Sequence, residues 1–184
     1  PKLTRIAVRA LDNLLDYQNY PVKAALKAKQ RRSLGVGITN YASWLASNYC
    51  DYSEAYTDKV HELMEAFQFN LLVASMELAK ERGACGLYND TKYARGLLPI
   101  DWYCKTVDEL VAPVYNCDWE WLRSQIKKYG LRNSTLSALM PCESSSQVSN
   151  STNGIEPPRG LVSIKSSKEG HYNQVVPNQN NQID

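Results

Sequence analysis

The sequence of 184 residues lacks any apolar run near the roughly 18 residues that a membrane-spanning helix needs. It also lacks an excess of one charge, because 21 basic residues accompany 19 acidic residues, for a net charge of +2. So small a charge does not require a nucleic acid as partner. The N-terminal segment is amphipathic and interrupted by charges, which argues against a signal peptide. The first residue is Pro1 rather than methionine, which indicates a fragment or a processed product.

Histidines and closely spaced cysteines are scarce as well. The chain has two histidines and five cysteines, without a C-x-x-C motif. Zinc sites usually contain a local pair of ligands, so this pattern does not favour a metal site. Scattered, unpaired cysteines are typical of a reducing cytoplasm, which is the compartment that the sequence predicts. The cysteines are Cys50, Cys85, Cys104, Cys117 and Cys142.

The sequence does contain enough apolar residues, 43% of the chain, to bury a core. Apolar residues at helical spacing predict one helix that ends near Tyr17 and a long helix from about Glu54 to Arg82, stopped by Gly83. The stretch "WEWLRSQIKKYG" predicts a further helix, capped by Asp118 and ended by Gly130.

Short apolar runs between these helices predict β-strands at "SLGVGI", "STLSALM" and "LVSIKSS". The stretch "TNYASWLASN" predicts a helix with Thr39 or Asn40 as its cap. Helices that alternate with short apolar strands favour an α/β fold. Apolar content falls from Ser166 onward, and "NQVVPNQNNQID" is predicted to be a mobile tail or a cut end.

Several candidate motifs have simpler structural interpretations. "LGVGITN" contains G-x-G, but Asn40 stands where a dinucleotide-binding fingerprint needs a third glycine, so close packing of strands is favoured. The basic run from Lys23 to Arg32 is interpreted as a solvated helix face, with contact to phosphate or to an acidic partner as the alternative. Three carboxylates are interpreted as charges in the first turn of a helix rather than as a catalytic pair: Asp51, Glu54 and Asp58.

The stretch from Leu139 to Gly160, "LMPCESSSQVSNSTNGIEPPRG", carries the strongest functional signal. If Pro141 ends the preceding strand, the residues after it turn into a helix that begins near Ser145. The N-terminus of a helix offers unpaired backbone N–H groups and the positive end of the helix dipole, and serine hydroxyls add donors. Two interpretations stay open here: an ordinary serine-capped helix and an anion site, in which Glu143 repels the anion but still presents its backbone N–H.

These residues resemble the large subunit of class I ribonucleotide reductase, most closely the enterobacterial and phage type. The resemblance is carried by "RNSTLSALMPCESSSQVSNSTNGIEPPRG" and by "SIKSSKEG" and "QVVP" after it. It extends back through "YARGLLPID", "ELAKERGAC", "RRSLGVGI" and "AVRALDNLLDYQNYP". It therefore covers nearly the whole chain, and only the residues from about Asn178 onward depart from the pattern.

The resemblance implies a fold and a reaction. Residues 1–177 would be part of the catalytic domain, a ten-stranded α/β barrel of two half-barrels, and residues 178–184 a flexible or truncated tail. The family reduces ribonucleoside diphosphates to deoxyribonucleoside diphosphates, which are precursors of DNA. A thiyl radical takes the ribose 3′ hydrogen, and a pair of cysteines supplies the electrons and becomes a disulfide.

The resemblance also implies partners and site residues. The partners are the ribonucleoside diphosphate, the rest of the large subunit, the radical-generating small subunit, and thioredoxin or glutaredoxin, with neither nucleic acid nor membrane. The segment itself would bind no cofactor, whereas the complete enzyme uses the radical cofactor of the small subunit, a dithiol reductant and ATP or dNTP effectors. The family's P-[ST]-E-[TS]-S turn, carried over, places Glu143, Ser144 and Ser145 on the diphosphate, with Pro141 and Cys142 supporting the turn.

Cys142 stands where the family usually has serine, so a weaker side-chain donor is expected there beside an unchanged backbone donor. No catalytic residue of the family matches this segment. The radical cysteine lies in an N-x-C-x-E arrangement, and Cys50 follows Asn48 but precedes Tyr52 rather than a glutamate. The redox cysteine pair, the Tyr-Tyr relay, the C-terminal thiol shuttle and the ATP domain are not found either.

The chain alone is therefore expected to be inactive. One alternative is an inactive fragment that binds nucleotides or associates with a reductase subunit. Another is a helical scaffold in which the turn at residues 141–145, called the serine turn below, is only a cap.

Overall fold

The computed structural model of the protein describes residues 1–48, 50, 52, 57–110, 112–168 and 170–177. Its helices and strands are, in chain order, α1 (Lys2–Tyr17), α2 (Lys23–Lys29), α3 (Tyr41–Ser47), α4 (Thr57–Arg82), α5 (Pro99–Trp102), α6 (Trp119–Tyr129), α7 (Glu143–Val148), β1 (Val162–Ser167) and β2 (Gly170–Val175). Short 3-10 helices lie at Tyr88–Asp90, Tyr93–Arg95 and Lys105–Glu109. Within the described ranges, no helix combines the length and the apolar character that crossing a membrane requires.

The chain divides into two compact units. The first unit comprises Pro1–Val36 and Lys59–Ser137. It contains the whole of α1, α2, α5 and α6, and all of α4 except its first two residues. The second unit comprises the described residues of Gly37–Asp58 and Ala138–Asp184 and contains α3, α7 and both strands.

Helix α4 is central to the core of the first unit because much of its C-terminal half is buried. Leu71 and Leu72 are fully buried, and Val73, Ala74 and Met76 are also buried. The apolar residues whose helical spacing predicts this helix are buried from Leu71 onward, but the earlier ones are only partly buried: Val60, Leu63, Met64 and Phe67. A helix segment that is apolar on most faces belongs inside a core rather than on its surface.

The helix boundaries follow the sequence signals closely. Helix α1 ends at Tyr17 as predicted. Gly83, at φ +84°, stops α4, and its amide donates to the carbonyl of Ala79 at 2.8 Å. The Asp118 carboxylate caps α6 by accepting from the Trp121 amide at 2.8 Å. These ends are set by local chemistry, since a left-handed glycine and an N-cap carboxylate each satisfy backbone groups that the helix leaves unpaired.

The basic run forms α2, none of whose residues is buried, so the interpretation as a solvated helix face is confirmed for the helix. It is wrong for Arg32, which is buried and lies in a polar network. Its Nε donates to Oδ1 of the fully buried Asp12 at 2.7 Å, and Nδ2 of Asn133 donates to the same oxygen at 3.1 Å. Arg32 and then Lys29 hold the pKa of Asp16 well below its usual range by hydrogen bonding. We call Asp12, Asp16, Arg32 and Asn133 the aspartate network.

Two of the predicted strands pair with each other, although neither forms a regular strand. Val36 and Ser137 make an isolated parallel bridge. The Leu34 amide donates to the Thr135 carbonyl at 2.9 Å, and the Val36 amide donates to the Leu136 carbonyl at 2.8 Å. Parallel pairing joins strands that are distant in sequence, as in α/β folds. The helix-rich chain with short β segments therefore agrees with part of an α/β barrel.

The third predicted strand is confirmed as β1, which pairs antiparallel with β2 from Val162↔Val175 to Ser167↔Gly170. Strand β2 overlaps the C-terminal stretch that was predicted to be a mobile tail, and that prediction is wrong for residues 173–175. Backbone pairing rather than apolar burial forms this strand, because its side chains are mostly exposed. Residues 178–184, also expected to be a tail, lie outside the described residues.

Candidate functional site

The serine-rich stretch forms helix α7, which begins at Glu143, two residues before the predicted start. Its first intrahelical hydrogen bond runs from the Ser146 amide to the Cys142 carbonyl at 3.0 Å. Cys142 is the N-cap residue, and its side chain makes no capping hydrogen bond. The helix ends at Val148, Ser149 is its C-cap residue, and Asn150, at φ +49°, then turns the chain left-handed.

The three consecutive serines lie in different environments. Ser146 is buried, and its hydroxyl donates to the Glu143 carbonyl at 3.2 Å. Ser144 and Ser145 are exposed, as is Glu143. Neither the amides nor the hydroxyls of Ser144 and Ser145 hydrogen-bond to another residue in the described part of the chain. The start of α7 therefore presents two amides and two hydroxyls on adjacent residues to an incoming acceptor.

Cys142 supports the turn rather than the exposed donor group. Its amide donates to the Asn153 carbonyl at 2.9 Å, and its thiol approaches the Met140 carbonyl at 3.5 Å. The expectation that this backbone donor remains available is therefore wrong, because the loop after α7 already uses it. Pro141, just before, has no N–H to offer.

The loop after α7 is held by Asn40, which the sequence predicted as a helix cap. Asn40 is the N-cap residue of α3, but its side chain makes no capping hydrogen bond. Its Oδ1 instead accepts from the Thr152 amide at 3.2 Å, and its own amide donates to the Thr152 carbonyl at 2.9 Å. The Tyr41 amide donates to the Gly154 carbonyl at 3.3 Å. Sequence reasoning missed this support because the two segments are more than a hundred residues apart.

Gly37, the second glycine of "LGVGI", lies against the segment that precedes Pro141. A Cβ atom on Gly37 would lie 2.6 Å from the Ala138 carbonyl oxygen and 3.0 Å from Sδ of Met140. The chain therefore passes too closely for a side chain, which confirms close packing as the role of this glycine. The segment that it contacts leads directly into Pro141.

Two polar atoms in the supporting loop stand out. Thr152 is only 7% exposed, and its Oγ1 has no hydrogen-bond partner among the described residues. Oδ1 of Asn153 is likewise buried without a partner in the described part of the chain. Neither atom could be identified from the sequence, because a threonine and an asparagine in a loop are ordinarily solvated.

The attraction of the turn for an anion would come mainly from backbone groups rather than from charged side chains. Residues 138–152 contain no lysine or arginine, and Glu143 is their single acidic residue. An anion at the start of α7 would thus be held by N–H and O–H donors and the helix dipole, without a countercharge on these residues.

The cysteines are free thiols in different surroundings. Burial raises the pKa of the Cys85 thiol. The pKa of Cys117 is also raised, mainly by burial and to a smaller extent by the negative charge of the neighbouring Glu65. The Cys50 thiol donates to the Asn48 carbonyl at 3.2 Å, and the Tyr52 hydroxyl donates to the Ile155 carbonyl at 2.8 Å. Among the described residues, no group of three or more histidine, cysteine or acidic side chains could hold a metal ion.

Comparison with known proteins adds independent information. The sequence profile of the family described as "Ribonucleotide reductase, barrel domain" matches residues 1–183. Among curated proteins, the ribonucleoside-diphosphate reductase subunit alpha of Enterobacteria phage T4 is 63% identical over 183 residues, which cover 100% of this chain and 24% of that protein.

Bacterial proteins are also similar. Subunit alpha of Haemophilus influenzae is 58% identical over 180 residues, covering 97% of this chain and 24% of that protein. The ribonucleoside-diphosphate reductase 1 subunit alpha of Escherichia coli (strain K12) is 56% identical over 165 residues, covering 89% of this chain and 22% of that protein. The chain thus spans less than a quarter of the length of these curated relatives.

Proposed function

Because the chain belongs to the ribonucleotide reductase barrel-domain family, we propose that it forms part of the large subunit of a ribonucleoside-diphosphate reductase. In this proposal residues 1–177 contribute to the catalytic ten-stranded barrel of two half-barrels, and residues 178–184 form a tail. The assembled enzyme converts a ribonucleoside diphosphate to the deoxyribonucleoside diphosphate and water while a dithiol becomes a disulfide. The free thiols of the chain suit a cytoplasmic enzyme.

The proposed role of this segment is to bind the diphosphate of the substrate. The observation that supports it is the exposed, unused donor group at the start of α7, formed by the amides and hydroxyls of Ser144 and Ser145. The neighbouring amides of Cys142, Ser146 and Ser151 are all engaged within the protein. A turn whose neighbouring backbone amides are engaged in this way keeps its remaining donors in fixed positions.

The chemistry of the turn suits a diphosphate. Hydrogen bonds to a charged acceptor contribute about 1.5–3 kcal/mol each, more than bonds between neutral groups. Glu143 takes part through its backbone N–H, with its carboxylate directed away from the phosphate. Held in this way, the nucleotide presents its ribose to the radical site in the rest of the subunit, so the turn acts by positioning the substrate.

The remaining parts of the reaction are assigned to the partners that the family employs. These are the rest of the large subunit, the radical-generating small subunit, and thioredoxin or glutaredoxin as the dithiol. The complete enzyme would use the small-subunit radical cofactor and would respond to ATP or dNTP effectors. Cys50 does not act as the radical cysteine in this proposal, because Tyr52 stands at the position of the glutamate.

The diphosphate role is tested by changing both Ser144 and Ser145 to alanine in the assembled enzyme. We expect KM for the ribonucleoside diphosphate to rise by about tenfold or more, since two charge-assisted hydrogen bonds are lost. Radical formation should change little. Ser124→Ala is the matched control, because the Ser124 hydroxyl is exposed and its bonds stay within α6: it donates to the Trp121 carbonyl and accepts from Nε2 of Gln125. An unchanged KM in the double variant would remove both serines from the site.

The fragment character is tested separately with the purified 184-residue chain. We expect no turnover of ribonucleoside diphosphate in the presence of the small subunit and a dithiol, because no radical or redox cysteine of the family is found here. Measurable deoxyribonucleotide formation by this chain would refute that expectation.

A further inference from the structure

We propose that a basic pocket of the first unit binds the phosphate group of a small molecule, as a second anion site besides the serine turn. The pocket has a volume of about 330 Å³. It is lined by Arg31, by residues 134–137 of the second paired β stretch, and by residues of α4, α5 and the segment around the second 3-10 helix. The residues that the argument uses are Arg31, Gln68, Lys92, Tyr93, Trp102 and Thr135.

The charge of the pocket favours an anion. Arg31 and Lys92 line it, and none of its lining residues is acidic. Lys92 Nζ lies 4.6 Å from the centroid of the Trp102 ring, a cation–π contact that holds the ammonium beside the pocket. Neither Arg31 nor Lys92 makes an ion pair with any described carboxylate. Two positive charges therefore line the same pocket without an ion-pair partner among the described residues, an arrangement that phosphate would neutralise.

Neutral donors in the pocket complement these charges. The side chains of Gln68 and Thr135 hydrogen-bond to no other group in the described ranges, so they can serve a ligand. Tyr93 packs edge-on against Trp102, with 5.5 Å between ring centroids. Burial raises the pKa of Tyr93 to about 12, so its phenol stays protonated at neutral pH and can donate. A tetrahedral phosphate, with several acceptor oxygens, matches this mixture of cations and neutral donors.

The volume limits the size of the ligand. Small-molecule sites usually measure about 300–1,000 Å³, so this pocket is at the lower end. Its volume is compatible with pyrophosphate or with a phosphate ester up to the size of a mononucleotide, but not with a large cofactor. Because the phosphate is common to inorganic and ester ligands, both types are used in the test below.

The test follows the indole N–H signal of Trp102 by NMR in the 15N-tryptophan-labelled chain, assigned with Trp102→Phe. Pyrophosphate and adenosine monophosphate are titrated separately. We expect a saturable shift at about millimolar ligand or below. The Arg31→Gln and Lys92→Gln variants should each weaken binding by about tenfold, as expected for loss of a charged hydrogen-bond partner. Arg95→Gln is the control, since Arg95 is a nearby exposed cation outside the pocket lining.

The serine turn must be separated from the pocket. The Trp102 shift should persist in the Ser144→Ala, Ser145→Ala double variant, because the pocket contains neither serine. Equal affinity for the two ligands assigns recognition to the phosphate alone, and tighter binding of the nucleotide adds a contribution from its ring. Absence of a saturable Trp102 shift with both ligands overturns the proposal. So does equal weakening by Arg95→Gln, which would indicate diffuse attraction to surface charge.

Discussion

The aspartate network and the serine turn use polar groups in opposite ways. In the network, the buried carboxylate of Asp12 is surrounded by donors, with Arg32 at 2.7 Å and Asn133 at 3.1 Å. In the turn, the donors of Ser144 and Ser145 face solvent, and the loop after α7 contains the Thr152 hydroxyl, which has no partner among the described residues.

This difference indicates that the polar groups of the network stabilise the fold, whereas those of the turn are available for binding. Charged groups that are buried and mutually bonded hold the first unit together, and little of their bonding capacity is left for a ligand. The turn contains no cation, and its outward donors contribute little to folding because water satisfies them in both states. Locally unsatisfied groups of this kind are expected where a protein binds something.

The largest effect should come from removing the centre of the network with Asp12→Ala. Asp12 Oδ2 is also 3.6 Å from Arg82 and 3.4 Å from Arg132, so the variant leaves several arginines facing a cavity. Loss of one partner of a buried ion pair costs about 3–5 kcal/mol, and we expect the free energy of unfolding to fall by that amount. Urea denaturation measures it.

The matched control for this change is Glu109→Ala. Glu109 is exposed, and no described residue pairs with it, so the free energy of unfolding should change by less than about 0.5 kcal/mol. If Asp12→Ala were as mild as this control, the network would not be a stabilising element and the contrast with the turn would fail.

An intermediate effect is expected from Gly37→Ala, which tests how rigidly the turn is supported. The new Cβ would lie 2.6 Å from the Ala138 carbonyl, so the segment that leads to Pro141 must shift. Overpacking of this kind costs about 1–3 kcal/mol in the free energy of unfolding, measurable by urea denaturation. Gly160→Ala is the control in the same unit, because its Cβ would meet only the Val162 carbonyl at 3.8 Å. Equal stability of the two variants would contradict close packing at Gly37.

The elements that sequence predicted well are those with local signals. The cap at Asp118, the left-handed glycines Gly83 and Gly130, and the helical spacing of α1 each act within a few residues of the boundary that they set. Strand β2 was missed because its side chains carry no apolar pattern, and its existence depends on pairing with β1.

In the candidate site too, features set by neighbouring residues could be predicted, and features set by distant segments could not. The start of a helix after Pro141 followed from local chemistry, and its link to a diphosphate followed from the family resemblance. The engagement of the Cys142 amide by Asn153 could not be predicted, because a loop conformation decides it. Arg32 was likewise interpreted as the end of a solvated basic run, since its partners Asp12 and Asn133 are 20 and 101 residues away.

The smallest expected effect compares two buried threonines, one from each unit. Thr91 is 8% exposed, and its hydroxyl donates to the Tyr88 carbonyl at 2.6 Å and accepts from the Ala94 amide at 3.2 Å. Thr152 is 7% exposed and has no partner for its hydroxyl among the described residues. Replacing each by valine keeps the side-chain shape and removes only the hydroxyl.

We expect Thr91→Val to lower the free energy of unfolding by about 1–2 kcal/mol, because the buried Thr91 hydroxyl bonds both the Tyr88 carbonyl and the Ala94 amide and valine can replace neither bond. Thr152→Val should leave it unchanged or raise it by up to about 1 kcal/mol, since burying an unpaired hydroxyl is itself unfavourable. Urea denaturation of both variants measures the difference. Equal losses would mean that the Thr152 hydroxyl is bonded in the native protein, for instance to a buried water, and that the loop behind the turn is as fully satisfied as the first unit.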